Sequence, residues 1–209
     1  MSFYNEINDR TNIRIFDFAG NNHYLSIFGL GYHEAARSLA ERLLCQDNFP
    51  DYEGYPVVFL YRHSFELYLK GIIYEAKVLA ALNDVKFEAN IYRCHKLRPL
   101  AELCARILPL VLPKVKSLPQ IVTDMRRVAA EFEEIDADSF AYRYPTNNEG
   151  KPSSNQVQDV NLRSMYATMT PLLEMMDAVT SQLDWDLNQA QKLYEVLEEA
   201  KGYISFDED

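Results

Sequence analysis

The chain has 209 residues, of which 48% are hydrophobic and 25% charged, and it carries a formal net charge of -10. This length and composition are typical of one globular domain with a sizeable core, so we expect residues 1–209 to form a single domain. The acidic balance disfavours a protein whose main task is to grip a nucleic-acid backbone, although it is compatible with a local basic pocket. Having only seven glycines disfavours a loop-rich all-β fold.

Cysteine usage and the absence of long apolar runs predict the cellular setting. Cys45, Cys94 and Cys104 form no Cys-x-x-Cys pair and leave one cysteine over from any disulfide count, which suits a reducing compartment. The chain begins without the basic lead and apolar run of a signal peptide, and no stretch approaches the roughly 18 apolar residues that span a membrane. We therefore expect a cytoplasmic protein with no membrane association.

The first two predicted helices follow from apolar residues that recur at steps of three and four. One helix spans His23 to Leu44. After a loop of roughly ten residues, Pro56 suits the first turn of a second helix that ends near Leu82. This second helix has apolar lines on two sides, so we expect it to be long and central.

Prolines bound the third and fourth predicted helices. The third starts between His95 and Pro99 and ends before Pro109 or Pro113, and the fourth follows Pro119.

A polar, turn-rich stretch covers residues 136–159 and predicts a long loop. Loops of this length inside one domain are often functional, which draws interest to Arg143 and its neighbours.

The last long helix has the most regular pattern, an apolar seam of alternating steps of three and four from Leu162 to Leu183. Pro171 lies inside it and predicts a kink or two abutting helices. A final amphipathic segment covers residues 185–201. The seam suits either the core or, through its methionines, an adaptable dimer contact. The whole pattern predicts an all-α helical bundle of about five to six helices.

One side of the second predicted helix is polar. It holds Arg62, Glu66, Lys70 and Lys77, with His63 at its edge, all within roughly 100° of the helical wheel. The simplest interpretation is a solvated face with a Glu66 to Lys70 ion pair, worth about 0.3 kcal/mol. The alternative is a functional site.

Several common site types lack support in the sequence. No histidine has a glutamate three residues earlier, as a ferritin-like di-iron site requires, and zinc-type cysteine spacing is absent. Neither the P-loop nor the Gly-x-Gly-x-x-Gly dinucleotide motif occurs. We therefore predict no metal and no cofactor.

Metal-independent RNA cleavage requires a base, an acid and a cation, which histidine and arginine supply near neutral pH. Arg62, His63, His95 and Arg143 are of the right chemical types and are the candidate catalytic residues. If they share a site, the polar side of the second helix should face His95 or Arg143 across a cleft.

Three motifs together resemble the HEPN-like superfamily. They are Phe-Glu-Leu-Tyr-Leu-Lys-Gly at 65–71, His-Lys-Leu at 95–97 and Arg-Tyr-Pro at 143–145, and the resemblance covers roughly residues 57–145. It implies a compact, commonly dimeric helical bundle from a prokaryotic toxin-antitoxin or antiviral defence system. Many members of the superfamily are ribonucleases.

The active ribonucleases of that superfamily carry an arginine followed four to six residues later by a histidine, and no arginine here has that spacing. We therefore favour a non-catalytic or regulatory HEPN-like module that forms a homodimer and binds a protein partner from a neighbouring gene, a nucleotide or RNA. The candidate binding residues are Glu66, Lys70, Tyr142 and Tyr144. The alternative is a metal-independent ribonuclease with a non-standard His/Arg site.

Overall fold

The computed structural model describes residues 24–135, 146, 149–151 and 159–204, and within them the protein is an all-α bundle, as predicted. The described helices are α1 (Tyr24–Leu44), α2 (Asp51–Leu82), α3 (Leu97–Val111), α4 (Leu118–Ile135) and α5 (Leu162–Ile204). No helix in these described segments is long and apolar enough to cross a membrane.

Helix α2 is the centre of the bundle. It packs against α1, α3 and α5, while α3 packs against α4, and α5 also contacts α1 and α4. Between Val57 and Ala80 the side chain of Lys77 is the one exposed group, and every other residue is buried or half-buried. The prediction of a long central helix is therefore confirmed.

The start of α2 differs from the prediction. The helix begins at Asp51 rather than Pro56, so the connection from α1 covers residues 45–50 and is shorter than the predicted ten or so residues. Asp51 and Glu53 lie in the first turn, where acidic side chains interact favourably with the helix dipole. Pro56 lies one turn inside, and the helix tolerates the loss of the backbone hydrogen bond that its missing amide would have made.

Small side chains allow α1 and α2 to approach closely. A Cβ on Gly29 would lie 3.1 Å from the ring of Tyr68, and the Gly29 carbonyl accepts a 2.7 Å hydrogen bond from the Ser64 hydroxyl. In the same contact between α1 and α2, Gly71 of α2 lies against Ser26 of α1. Gly29 and Gly71 therefore lie where α1 and α2 come closest.

Helix α5 runs without a break from Leu162 to Ile204, with Pro171 inside it. The predicted alternative of two abutting helices at Pro171 is therefore wrong, and the final amphipathic segment is the end of the same helix. The apolar seam lies in the core of the single chain, as these side chains are at most 7% exposed: Leu162, Met169, Leu172, Met176, Val179 and Leu183. The seam is thus buried within the bundle and is not the surface through which a second copy would bind.

Helices α3 and α4 follow their predicted apolar patterns. Helix α3 continues through Pro109 and ends before Pro113, and α4 starts one residue before Pro119. Leu100, Cys104 and Ile107 of α3 and Met125 of α4 are all fully buried. The connection after α4 mostly lies outside the described residues, and so do the predicted candidates Tyr142, Arg143 and Tyr144.

Candidate functional site

Two cationic side chains of α2 share the carboxylate of Glu66, which lies one turn from each of them. The Oε2 atom of Glu66 lies 3.2 Å from Nη1 of Arg62, and its Oε1 atom accepts a 2.8 Å hydrogen bond from Nζ of Lys70. All three residues are buried, with exposed fractions of 1% for Arg62, 3% for Glu66 and 7% for Lys70. The predicted ion pair between Glu66 and Lys70 is present, but the interpretation of this side of α2 as a solvated face is wrong for these three residues and holds only for Lys77.

The fourth member of the group comes from the connection between α2 and α3. Nδ1 of His95 lies 2.9 Å from Oε1 of Glu66, and the backbone carbonyl of His95 accepts a 3.3 Å hydrogen bond from Nη2 of Arg62. In contrast to its partners, the imidazole is 62% exposed. We call Arg62, Glu66, Lys70 and His95 the charge cluster, and it fixes the end of the α2–α3 connection to the central helix.

The charge cluster keeps Glu66 ionised. Burial acts to raise the pKa of this carboxyl group, but the hydrogen bond and charge of Lys70, the hydrogen bond of His95 and the charge of Arg62 outweigh burial and lower the pKa. An ionised carboxylate only accepts hydrogen bonds, so Nδ1 of His95 carries a hydrogen here. In the neutral imidazole, Nε2 is then the nitrogen able to accept a proton.

His63 is separated from the charge cluster. Its ring stacks on that of Phe59 with centroids 5.5 Å apart and meets the edge of Tyr32 from α1 at 4.6 Å. Although His63 follows Arg62 in sequence, neighbouring residues point about 100° apart on a helix. The structure therefore brings Arg62, Glu66, Lys70 and His95 together and places His63 on the α1 side of α2.

An exposed basic segment adjoins the cluster. Tyr92 is 63% exposed, and the side chains of Arg93, His95 and Lys96 are also exposed. We call residues 92–96 the basic segment. It belongs to a run from residue 89 to 101 that contains no Asp or Glu, in a chain of net charge -10. The sequence prediction missed Tyr92 and Arg93, which this acid-free run would have revealed.

The basic segment is held at both ends. Ile91 before it is 4% exposed and Leu97 after it is fully buried, and both belong to the hydrophobic core. Beyond it, the backbone amide of Arg98 donates a 2.8 Å hydrogen bond to Glu133 of α4. Together with the contact between His95 and Glu66, these anchors present the segment's polar side chains to solvent from a fixed backbone.

The arrangement limits the chemistry that this region can perform. Glu66 and Lys70, predicted as binding residues, are only 3% and 7% exposed and so have little surface with which to contact a ligand directly. Among the described residues, no group of three or more His, Cys, Asp or Glu side chains is arranged to hold a metal ion.

Comparison with protein-family models, curated proteins and solved structures finds no match for this chain. The resemblance to HEPN-like proteins therefore stays a prediction, and the functional argument rests on the chain's own geometry.

Proposed function

We propose that this chain is a cytoplasmic, HEPN-like helical module that binds the phosphate groups of RNA or a nucleotide at the basic segment, without cleaving them. The observation that carries the proposal is the exposure of Tyr92, Arg93, His95 and Lys96 on a short segment fixed at both ends. Arginine and lysine neutralise phosphate charge, and an exposed aromatic ring offers a surface on which a base can stack. The resemblance implies a role in prokaryotic defence, toxin-antitoxin control or stress.

Burial of the charge cluster argues against cleavage. Metal-independent cleavage of RNA needs a base, an acid and a cation that all reach the reacting phosphodiester. Arg62 and Lys70 are 1% and 7% exposed, and His63 is packed against aromatic rings. His95 alone in the charge cluster is exposed, so this arrangement favours binding and positioning over catalysis.

Binding can be tested by fluorescence anisotropy of a labelled single-stranded RNA over a range of salt concentrations. The test variant is the double substitution Arg93→Ala and Lys96→Ala. A matched control, Lys114→Ala with Lys116→Ala, removes the same charge from exposed positions between α3 and α4. Each phosphate contact on a single strand contributes about 0.7 to the slope of log affinity against log salt.

We expect the Arg93 and Lys96 variant to bind more weakly, with a salt slope reduced by about 1.4, because two phosphate contacts are lost. The control should retain the wild-type slope. Equal weakening in the two double variants would show non-specific attraction and would overturn the proposal, as would wild-type protein that binds neither RNA nor a nucleotide.

A ribonuclease is the second candidate, and the 2.9 Å contact between Glu66 and His95 favours it. A carboxylate that holds Nδ1 of an exposed imidazole leaves Nε2 able to act as a general base. The test is incubation of purified protein with RNA, together with expression in bacteria. Degradation and growth arrest by wild type, abolished by His95→Ala, would establish the ribonuclease and refute the non-catalytic proposal.

A further inference from the structure

The last part of α5 extends beyond the bundle. Residues 191–199 are all exposed, and the large apolar side chains of Leu193, Tyr194, Val196 and Leu197 are 51–61% exposed. We call residues 188–204 the α5 tail, which at 1.5 Å per residue is about 25 Å long. A concentration of large apolar side chains on a projecting helix is typical of an interaction surface.

The α5 tail continues the pattern of the buried seam. Inside the bundle the seam alternates steps of three and four up to Leu183, and after an interruption at Asp186 the same alternation resumes. The positions that continue it on the exposed part of the helix are Ala190, Leu193 and Leu197. A heptad-type repeat of this kind packs against another helix, and within the bundle α5 already uses it in that way.

Charge indicates what packs there. The exposed part of the tail, residues 188–199, carries Lys192 together with Glu195, Glu198 and Glu199, and at 100° per residue these charged positions lie off the apolar stripe. The positions flanking the apolar stripe are Gln189, Tyr194 and Val196, none of them charged. In a two-fold symmetric contact each patch meets its own copy, so an uncharged stripe avoids the like-charge repulsion that acidic surfaces would cause.

A membrane surface is a poorer occupant. Helices that lie on anionic lipid carry lysine and arginine along the polar face, whereas the polar face of the tail also carries Glu195 and Glu199.

We infer that the α5 tail is a dimerisation helix that pairs with the same tail of a second copy of this chain. The paired tails bury Leu193 and Leu197 in a short coiled-coil contact, outside the bundle and separate from the basic segment. This inference is independent of the proposed RNA-binding function, because its residues lie on a different helix and its test does not involve a ligand.

The experiment is light scattering coupled to size-exclusion chromatography, from about 10 to 200 µM full-length protein. Leu193→Asp places a charge in the stripe. Gln191→Asp is the matched control, because it adds the same charge two residues away on the other side of the same exposed helix. Circular dichroism establishes that both variants keep wild-type helicity, which is expected because both sites are exposed.

We expect wild type and Gln191→Asp to be dimers and Leu193→Asp to be a monomer. Wild-type protein that remains monomeric at 200 µM would overturn the inference. A dimer that persists equally in Leu193→Asp would also overturn it, because the interface would then lie elsewhere on the molecule.

Discussion

Glu66 and His95 lie 2.9 Å apart although 29 positions separate them in the chain. The carboxylate is buried in the central helix and the imidazole is exposed at the surface. This contact therefore joins the interior of the bundle to the basic segment, and it links two of the motifs on which the resemblance to HEPN-like proteins rests.

Substituting Glu66 by glutamine should destabilise the fold strongly. The change keeps the shape of the side chain but removes the charge that Lys70 and Arg62 share within hydrogen-bonding distance. Breaking a buried ion pair by removing one partner costs about 3–5 kcal/mol. We expect a loss of about 3 kcal/mol in the free energy of unfolding, measured by urea denaturation at pH 7.

The control for this prediction is Glu102→Gln. Glu102 makes a bidentate contact with Arg126 at 2.7 and 2.8 Å, but both side chains are about half exposed. Exposed ion pairs contribute little to stability because water solvates the separated charges well. If Glu66→Gln were no more destabilising than Glu102→Gln, the charge cluster would have no structural role.

Gly71→Ala should destabilise the protein even though alanine is the better helix former. An added Cβ would overlap the hydroxyl of Ser26, which donates a 3.0 Å hydrogen bond to buried Glu75. The hydroxyl and the backbone of α1 would have to shift, which weakens the contact between α1 and α2. Thermal denaturation should show a lower melting temperature than wild type.

Gly31→Ala is the matched control on α1. Its added Cβ would meet nothing within 4 Å, so the intrinsic preference for alanine should act alone and stabilise the helix by up to about 1 kcal/mol. Opposite signs for the two substitutions would support the close helix approach. Stabilisation by both would show that α1 and α2 can separate at Gly71 without loss.

Two tyrosines of α2 make hydrogen bonds to α5, one to a charged partner and one to a neutral partner. Removing each hydroxyl should therefore lower the free energy of unfolding by a different amount. The hydroxyl of Tyr68 donates a 3.0 Å hydrogen bond to the carboxylate of Asp177, whereas Tyr61 and Thr170 share a 2.9 Å bond between neutral groups. Hydrogen bonds to charged groups are worth about 1.5–3 kcal/mol and neutral ones about 1 kcal/mol. Tyr68→Phe should therefore lower the free energy of unfolding more than Tyr61→Phe.

Comparing the two variants by urea denaturation removes the common effect of losing one hydroxyl from a buried ring. An equal loss would mean that the charge of Asp177 adds nothing to its bond with Tyr68.

The sequence predicted the helices well because apolar periodicity records which face each helix buries. It predicted helix ends less well at prolines, because α2 begins at Asp51 rather than Pro56, and α5 continues through Pro171, where two abutting helices were one of the predicted alternatives. Packing of α2 and α5 against neighbouring helices outweighs the single hydrogen bond that each proline removes.

The candidate site was only partly predictable for a different reason. A helical wheel placed Arg62, Glu66 and Lys70 on one side of α2, but it does not reveal what covers that side. Burial of these charges depends on the α2–α3 connection, which brings His95 against Glu66, and such a contact between distant residues has no periodic signature. The wheel also placed His63 at the edge of this group, because a helical wheel shows only angular position and not contacts such as those of His63 with the rings of Tyr32 and Phe59.

His33 predicts how stability depends on pH near neutrality. Its side chain is 1% exposed, and its Nε2 atom is buried without a hydrogen-bond partner in the described part of the chain. Burial lowers the pKa of His33 below its ordinary value of 6.5, against the opposing charges of Glu34, Glu174 and Asp177 and with the help of Arg37. The unfolded chain therefore binds the proton more readily than the folded one.

Stability from His33 is accordingly complete above pH 6.5 and is lost as the pH falls from there through the lower folded pKa. The lowered pKa of Glu66 acts in the same direction, but only as the pH falls below its ordinary value of 4.5. Free energies of unfolding measured by urea denaturation at pH 7.5 and 5.5 should therefore differ, and His33 contributes a slope of at most about 1.4 kcal/mol per pH unit for its one proton. Because glutamine cannot bind this proton, His33→Gln should reduce the slope, even if the substitution itself changes the stability of the protein. Measurements at pH 7.5 and 8.5 serve as the internal reference. An unchanged slope in His33→Gln would show that another group takes up the proton, and the buried histidine would then have no part in the acid sensitivity of the fold.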